Sequence, residues 1–331
     1  MTQEHEQEER FHHDRMAEEH DQAEVDPDTE ELLASERDYG FARIYTIELK
    51  YKEKPQFSRK RLFEKMQRYT GTVDQPDEQK LRDNLLVWEP SEEAETDMLH
   101  FFHLNYPVRF ADGEMPAQTS IMPTNNRPAA EYETAVQQAW HWPEAGETIE
   151  QCKYSVRLID MMASGLAPQE RLRLLTGTVR ALLETAPCDA VYFRESDKLL
   201  EPGDYLSAIE AGGLLYGVMN IRFFNVEGTG SQRHEMLMDT LGLAALGIPD
   251  VQCHYFDLEP NEVAQQLTSL GYYLFDNGDV IQDGETFGPT EDVRWRCEHQ
   301  YALAAPHRVV LDVDPGSPYY AGRQSAPTAD E

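Results

Sequence analysis

The apolar residues from Phe41 onward change repeatedly between two spacings, and this change constrains the fold more than any other feature of the sequence. In Phe41–Tyr51 they occupy alternate positions, which is typical of a β-strand. In Pro168–Ala186 they recur every third or fourth position and form one face of a helix. Both halves of the chain run roughly in the order β-α-β-β-α-β, without the strict alternation of a doubly wound sheet. The pattern therefore predicts an α+β fold with two antiparallel or mixed sheets, each covered by helices.

Caps and turn residues predict the limits of several elements. Ser58 and Gly71 bound a basic helix that runs to about Tyr69. Asp112–Gly113 predicts a turn, and Asn277–Gly278 predicts a two-residue hairpin. The other predicted helices are Ala129–Trp140, Arg233–Leu246 and Pro260–Phe275, and the other predicted strands are Leu85–Trp88, Met98–Val108, Cys152–Met161, Ala190–Phe193, Leu214–Val226, Val251–Phe256 and Val293–Leu303.

Composition divides the chain into four stretches. Residues 1–39 contain 15 acidic residues against 3 arginines and few β-branched residues, which predicts a disordered acidic tail. Residues 40–205 and 206–313 are predicted to form an N-terminal and a C-terminal α+β domain. Residues 314–331 are rich in Pro, Gly and Ser, and we expect them to form a flexible tail.

The chain is strongly acidic, with 61 Asp and Glu residues against 29 Lys and Arg residues and a net charge of −32. Proteins that bind nucleic acids or anionic membranes need a cationic face, so both partner classes are disfavoured. A partner protein with a basic surface fits this charge better.

The sequence contains no recognisable metal or cofactor motif. Its cysteines are widely spaced and form no CxxC pair, and no HExxH motif is present. We therefore predict no metal, no cofactor and free thiols: Cys152, Cys188, Cys253 and Cys297. The N-terminus lacks the apolar core of a secretory signal, and no apolar run approaches the roughly 18 residues of a membrane span. These features predict a cytoplasmic protein.

Four polar residues near a strand-to-helix turn are candidates for a binding or catalytic site. Arg222 lies on the predicted strand, and Arg233, His234 and Glu235 follow Gly228-Thr229-Gly230. Together they could supply cations, a general base and a carboxylate, provided that they lie within hydrogen-bonding distance. The alternative is a set of solvent-exposed or salt-bridged residues, and no catalytic residue is assigned.

Trp140 and Trp142 flank His141 at the predicted end of a helix. Two residues that are two positions apart cannot both face one helix stripe, so at least one indole should lie at a rim. Either both fill the seam between helix and sheet, or one is an aromatic anchor for a partner.

Several short motifs from Asn126 onward resemble a bacterial domain-of-unknown-function family, number 4261 in its series. They include Trp140–Ala145, Asp239–Leu243, Leu246–Asp250 and Asp283–Gly288, and the likeness is best in the C-terminal third. The resemblance implies a bacterial cytoplasmic protein, of the kind encoded near toxin–immunity genes. The family has no established activity, so it implies no catalytic residue.

These observations lead to two functional hypotheses. The first is a protein-binding protein, immunity-like or inhibitor-like, whose acidic surface meets a basic partner. The alternative is a small-molecule enzyme, a hydrolase or transferase of unrecognised type, with a polar site near residues 222–235. The sequence leaves the oligomeric state open.

Overall fold

Two β-sheets form the framework of the protein, and the computed structural model describes residues 39–73, 87–88, 98–111, 113–226, 233–288 and 294–322. The helices are α1 (Arg59–Thr70), α2 (Glu133–Gln137), α3 (Ala145–Gln151), α4 (Pro168–Thr185), α5 (Pro202–Glu210) and α6 (Pro260–Asn277). The strands are β1 (Thr46–Tyr51), β2 (Val87–Trp88), β3 (Leu99–Phe110), β4 (Gly113–Thr124), β5 (Tyr154–Met161), β6 (Ala190–Phe193), β7 (Lys198–Leu200), β8 (Asn220–Asn225), β9 (Glu235–Leu241), β10 (Asp250–Phe256), β11 (Thr286–Phe287), β12 (Trp295–Tyr301) and β13 (Val309–Asp314). Short 3₁₀ turns span Ala129–Tyr132, Leu214–Tyr216 and Ala244–Leu246.

The first sheet has seven strands in the order β2-β3-β4-β5-β1-β6-β7, and all its neighbouring pairs are antiparallel. Side chains alternate between its two faces. Ile47 and Leu49 of β1 therefore enter the main core, whereas Glu48 and Lys50 point to the opposite face, where Glu48 accepts a hydrogen bond from Tyr132.

The second sheet has six strands in the order β11-β12-β13-β10-β9-β8. Its β10 and β13 are parallel, and the other pairs are antiparallel, so the sheet is mixed. Helix α6 packs on β8, β9 and β10, and α1 packs on α4. The predicted α+β class with two antiparallel or mixed sheets is confirmed. The predicted acidic tail, apart from Tyr39, lies outside the described residues, as does Asp112 of the predicted turn.

Helix α1 begins and ends where the sequence predicts. The hydroxyl of Ser58 accepts a hydrogen bond from the backbone N–H of Arg61 at 3.4 Å, and Gly71 follows the helix with a φ of 79°. A glycine with positive φ also ends a helix at Asn277–Gly278, where the predicted hairpin is wrong. Asn277 is the last residue of α6, and Gly278 ends that helix with a φ of 79°. An Asn-Gly pair is compatible with a hairpin turn and with the end of a helix. Here α6 continues to Asn277, so the pair ends the helix.

The prediction of a helix over Arg233–Leu246 is also wrong. Its first part is the strand β9, and only Ala244–Leu246 forms a 3₁₀ turn. Strand β9 lies between β8 and β10, and all seven of its residues are buried, so side chains on both of its faces are covered. A strand that is buried on both faces loses its apolar–polar alternation and cannot be distinguished from a buried helix by periodicity.

One hydrophobic core extends across the two sheets. Its members come from β1, α4, β10 and α6 alike, as Leu49, Leu182, Val251 and Leu270 illustrate. The predicted domain boundary at residue 205 falls within α5, and independent folding of the two halves stays a prediction. In the described part of the chain, no helix is long and apolar enough to cross a bilayer.

The start of the predicted C-terminal tail contacts β10. Tyr320 forms an antiparallel bridge with Tyr255, and the backbone N–H of Phe256 donates to the carbonyl of Tyr319 at 2.7 Å. The phenol of Tyr320 also donates to the carboxylate of Asp312 at 3.1 Å. Residues 323–331 lie outside the described chain, and the flexibility of the tail stays a prediction.

Asp312 of β13 is a buried carboxyl group that makes stability depend on pH. Neutral side chains donate hydrogen bonds to it, among them Gln252 at 3.0 Å and Tyr320 at 3.1 Å. Burial raises the pKa of Asp312 from 3.8 to about 6. The folded protein therefore binds this proton more tightly than the unfolded chain, so the group destabilises the fold increasingly as the pH rises from about 4 to about 6.

We expect Asp312→Asn to raise the free energy of unfolding relative to the wild type by about 2–3 kcal/mol at pH 8, and to have little effect at pH 4. The measurement is urea denaturation of both proteins at the two pH values. Glu64→Gln, which changes an exposed carboxyl on α1, is the control and should alter stability little. An Asp312→Asn difference that does not grow with pH would contradict this prediction.

Candidate functional site

The two tryptophans occupy opposite environments in one turn. Helix α2 ends at Gln137, earlier than predicted, and residues 138–144 form turns instead of a helix. Trp142 is 8% exposed and packs in a small cluster with Tyr132 and Tyr192, whereas Trp140 is 66% exposed. Burial of Trp142 fixes the turn against the seven-stranded sheet, and Trp140 therefore lies at a rim.

Gln138 connects the same turn to the second sheet through two hydrogen bonds. Its side-chain amide donates to the carbonyl of Phe223 at 3.2 Å and accepts from the N–H of Phe223 at 3.0 Å. Phe223 lies in β8, which is an edge strand among the described residues. The amide thus occupies hydrogen-bonding positions that a further strand would use, and it holds the turn rigidly beside β8.

A recess of about 220 Å³ lies beside Trp140, and we call it the Trp140 recess. Its walls come from the Trp140 turn, from β7, from the segment leading into β8 and from α6. They consist of Trp140, His141, Lys198, Leu215, Tyr216, Met219, Asn220, Ile221, Thr268 and Tyr272. Most of these side chains are apolar or aromatic, so the recess suits an apolar group.

Lys198 is the cation in the wall of the recess. Its amine donates to the carbonyl of Tyr216 at 2.6 Å and to the carbonyl of Met219 at 3.0 Å, and it lies 4.6 Å from the centre of the Tyr216 ring. Burial lowers the pKa of Lys198 to about 7. The amine is therefore largely neutral above pH 7, and it holds the segment before β8 through two backbone carbonyls.

His141 adds a second weakly basic group to the recess. Burial lowers the pKa of His141, and the nearby charge of Lys198 lowers it further. Its Nε2 is buried without a hydrogen-bond partner in the described chain, and its ring meets the Trp140 ring edge to face at 6.1 Å. The lowered pKa favours the uncharged imidazole, so Lys198 is the one formal cation among the described walls of a mostly apolar recess.

Carboxylates lie around this apolar interior. Asp204 is close enough to act on both His141 and Tyr216, and Glu201 also acts on Tyr216. Burial raises the pKa of Tyr216, and these two negative charges raise it further. Asp276 acts in the same way on Tyr272. The Trp140 recess is therefore an aromatic cup with an acidic surround.

Arg222 belongs to a separate and fully internal group of charges, which we call the Asp239 network. Its guanidinium donates to both carboxylate oxygens of Asp239, at 2.8 and 2.5 Å, and to the carbonyl of Ala305 at 2.7 Å. Arg308 also donates to Asp239, at 3.1 Å, and pairs with Asp250 at 2.9 Å. These four charged groups are nearly or completely buried and neutralise one another. They fasten the loop before β13 to β9 and β10, which is a structural role.

The remaining sequence candidates lie at the other end of β9. Glu235 is four residues from Asp239 along the strand, a distance of about 13 Å. Its carboxylate pairs with His254 at 2.8 Å, and Arg233 pairs with Asp257 at 2.7 Å. His234 is exposed. The structure therefore separates Arg222 from Arg233, His234 and Glu235. A binding role for these residues stays a prediction.

Most of the second sheet lies in a part of the sequence that is similar to a known family. Residues 239–314 match a family described as Domain of unknown function (DUF4261). This confirms the resemblance in the C-terminal third. The match covers less than a quarter of the 331-residue chain. No curated protein and no solved structure matches the chain.

The DUF4261 segment contains three members of the Asp239 network: Asp239, Asp250 and Arg308. Asp250 further accepts hydrogen bonds from the hydroxyl of Thr240 at 3.0 Å and from the N–H groups of Gly242 and Leu243 at 3.2 and 3.0 Å. The Asp-Thr-Leu-Gly-Leu motif and the aspartate of Ile-Pro-Asp therefore act together in folding. These two motifs, which are part of the resemblance, place their aspartates in the interior of this chain, where both have a structural role.

Sequence reasoning identified Trp140 but missed the other walls of its recess. Lys198, Tyr216 and Tyr272 lie far apart in the chain, and no motif connects them. The one local signal is a lysine directly before the buried Leu199-Leu200 pair in a short strand. Such a lysine is expected to be exposed, and only the fold places its amine under the segment before β8.

Proposed function

We propose that this protein acts by binding a protein with a basic surface, and that an apolar side chain of the partner enters the Trp140 recess. The observation that carries the proposal is the 66% exposure of Trp140 beside a mostly apolar recess, with Asp204 and Glu201 near its Tyr216 wall. Exposed tryptophans are enriched among the residues that dominate binding energy at protein interfaces. The site suits the immunity-like or inhibitor-like role inferred from the sequence.

The rigidity of the turn supports binding at Trp140. Trp142 anchors one side of the turn in the core, and Gln138 ties the other side to β8 through two hydrogen bonds. Trp140 is therefore held in position before a partner arrives. Binding then loses little side-chain and loop entropy, which favours affinity.

The charge of the chain supports a basic partner. The net charge of −32 attracts cationic surfaces over several ångströms and repels polyanions. Asp204, Glu201 and Asp276 would pair with cationic residues around the inserted apolar side chain. Such steering weakens as salt screens the charges, with a Debye length of about 8 Å at physiological ionic strength.

The cysteines support a cytoplasmic setting as part of this proposal. All four are free thiols, and three of them are buried. Burial raises the pKa of Cys152 and of Cys297 to about 11, which keeps both thiols protonated and unreactive. Free thiols of this kind persist in a reducing compartment.

A peptide without tryptophan tests the proposal directly. We expect Lys-Lys-Phe-Lys-Lys to shift the indole N–H signal of Trp140 in NMR titrations, more strongly at low salt than at high salt, because salt screens the attraction. Lys-Lys-Ala-Lys-Lys lacks the apolar side chain and should bind at least about tenfold more weakly, equivalent to about 1.4 kcal/mol. Glu-Glu-Phe-Glu-Glu has the wrong charge and should not bind.

The variant Trp140→Ala should abolish saturable binding of the basic phenylalanine peptide, measured by calorimetry. Tyr301→Ala removes a similarly exposed aromatic side chain on β12, away from the recess, and is the matched control. Equal binding by Trp140→Ala and by the wild type would overturn the proposal, as would equal binding of the acidic and basic peptides.

A further inference from the structure

A larger cavity, of about 420 Å³, lies on the core side of the seven-stranded sheet, and we call it the sheet-end cavity. Leu99 and Ile121 are register partners in β3 and β4, and Val156 pairs with Pro123 across β4 and β5. These side chains and Phe57, which precedes α1, line the cavity. Cavities of this volume are typical of small-molecule sites, and this one has an apolar floor.

The charge around the sheet-end cavity is opposite to that of the protein. Lys54, Arg59 and Lys153 line it, and its walls contain no Asp or Glu among the described residues. Acidic residues outnumber basic ones by 61 to 29 in the chain, so a wall whose described residues include two exposed lysines and no carboxylate runs against the composition. Neither Lys54 nor Lys153 has a carboxylate partner within hydrogen-bonding distance in the described chain. These two lysines therefore favour an anion at the mouth of the cavity.

Asn126 in the wall has unused hydrogen-bonding capacity. Its side-chain amide donates to the carbonyl of Cys152 at 2.7 Å, and its Oδ1 is buried without a partner in the part of the chain that the structure describes. Buried polar groups without partners are uncommon in native proteins and call for a ligand or an ordered water.

We propose that the sheet-end cavity binds a small organic carboxylate with an apolar body. The apolar part lies on Leu99, Ile121 and Val156, and the carboxylate meets the cations at the mouth. Lys54 and Lys153 are exposed, so they contact the ligand where it reaches solvent. This site is independent of the Trp140 recess, with which it shares no wall residue.

Four matched probes separate the charge of the ligand from its apolar body: octanoate, octanol, octylamine and acetate. We expect octanoate to bind the full-length protein saturably in calorimetry, and at least about tenfold more tightly than octanol, octylamine or acetate. Amide chemical shifts should change at Leu99, Ile121 and Val156 when octanoate is added. No saturable octanoate binding, or equal affinity for octanol or octylamine, would overturn the proposal.

The double variant Lys54→Gln/Lys153→Gln should weaken octanoate binding at least about tenfold and leave octanol binding unchanged. Both lysines are exposed, so the fold should tolerate their replacement. Lys60→Gln changes an exposed lysine of α1 outside the cavity and should bind octanoate like the wild type. Unaltered octanoate affinity in the double variant, or the same loss in Lys60→Gln, would show that the cavity walls do not recognise the carboxylate.

Discussion

Replacing Asp239 by alanine is expected to lower the free energy of unfolding by about 3–5 kcal/mol, because two buried guanidinium groups lose their shared carboxylate. Arg222 donates two hydrogen bonds to Asp239, and Arg308 donates a third. All three residues are buried, so water cannot replace the lost partner without opening the structure. Removing one partner of a buried ion pair destabilises a protein strongly, because the other charge is left buried without compensation. Replacing the whole pair by apolar residues changes stability much less.

Urea denaturation of the purified variant measures this loss. The matched control is Glu114→Ala, which removes a carboxylate that lies 4.0 Å from Arg109 at an exposed surface. Such an exposed pair contributes about 0–1 kcal/mol, so the control should unfold near the wild-type midpoint. Equal and small losses of unfolding free energy in Asp239→Ala and Glu114→Ala would show that the Asp239 network does not stabilise the fold.

Gly242→Ala is expected to destabilise the protein by about 3–5 kcal/mol through backbone strain and a direct clash. Gly242 has a φ of 122°, which side-chain-bearing residues rarely adopt. A Cβ atom there would lie 2.0 Å from the carbonyl oxygen of Val218 and 2.7 Å from the Cβ of Ser196. The obstructing carbonyl belongs to the backbone, so it cannot rotate away as a flexible side chain would.

Gly212→Ala separates the clash from the strain. Gly212 has a φ of 92°, and a Cβ atom there would meet nothing within 4 Å. This variant should lose only about 1–2 kcal/mol, the cost of a positive φ. Thermal and urea unfolding of the two variants measures the difference. Similar stabilities for Gly242→Ala and Gly212→Ala would contradict the close backbone approach at Gly242.

These two predictions concern the same part of the DUF4261 segment. Asp239 and Gly242 lie in one short motif, and the N–H of Gly242 donates to Asp250, which pairs with Arg308. The motif thus closes β9 onto β10 and holds the loop before β13. In this chain, the Asp239–Leu243 motif therefore has a structural role.

Strong local signals made part of the fold predictable. The helices α4 and α6 carry an apolar stripe over many turns, and proline opens each of them. For α1, the caps at Ser58 and Gly71 set both ends. These signals depend on residues within about four positions of one another, so they act before any distant contact forms.

Distant contacts decided the features that the sequence left ambiguous or hid. Strand β9 resembles a helix until β8 and β10 pair with both its edges, and Trp140 resembles Trp142 until the cluster around Tyr132 buries only the second. The Trp140 recess joins residues from position 140 to position 272. The α+β class, the acidic charge and the helices α1, α4 and α6 follow from composition and short-range periodicity, so they can be predicted from the sequence. The buried side chains and the cavities that they enclose depend on neighbours from distant parts of the chain, so they become visible in the folded protein alone.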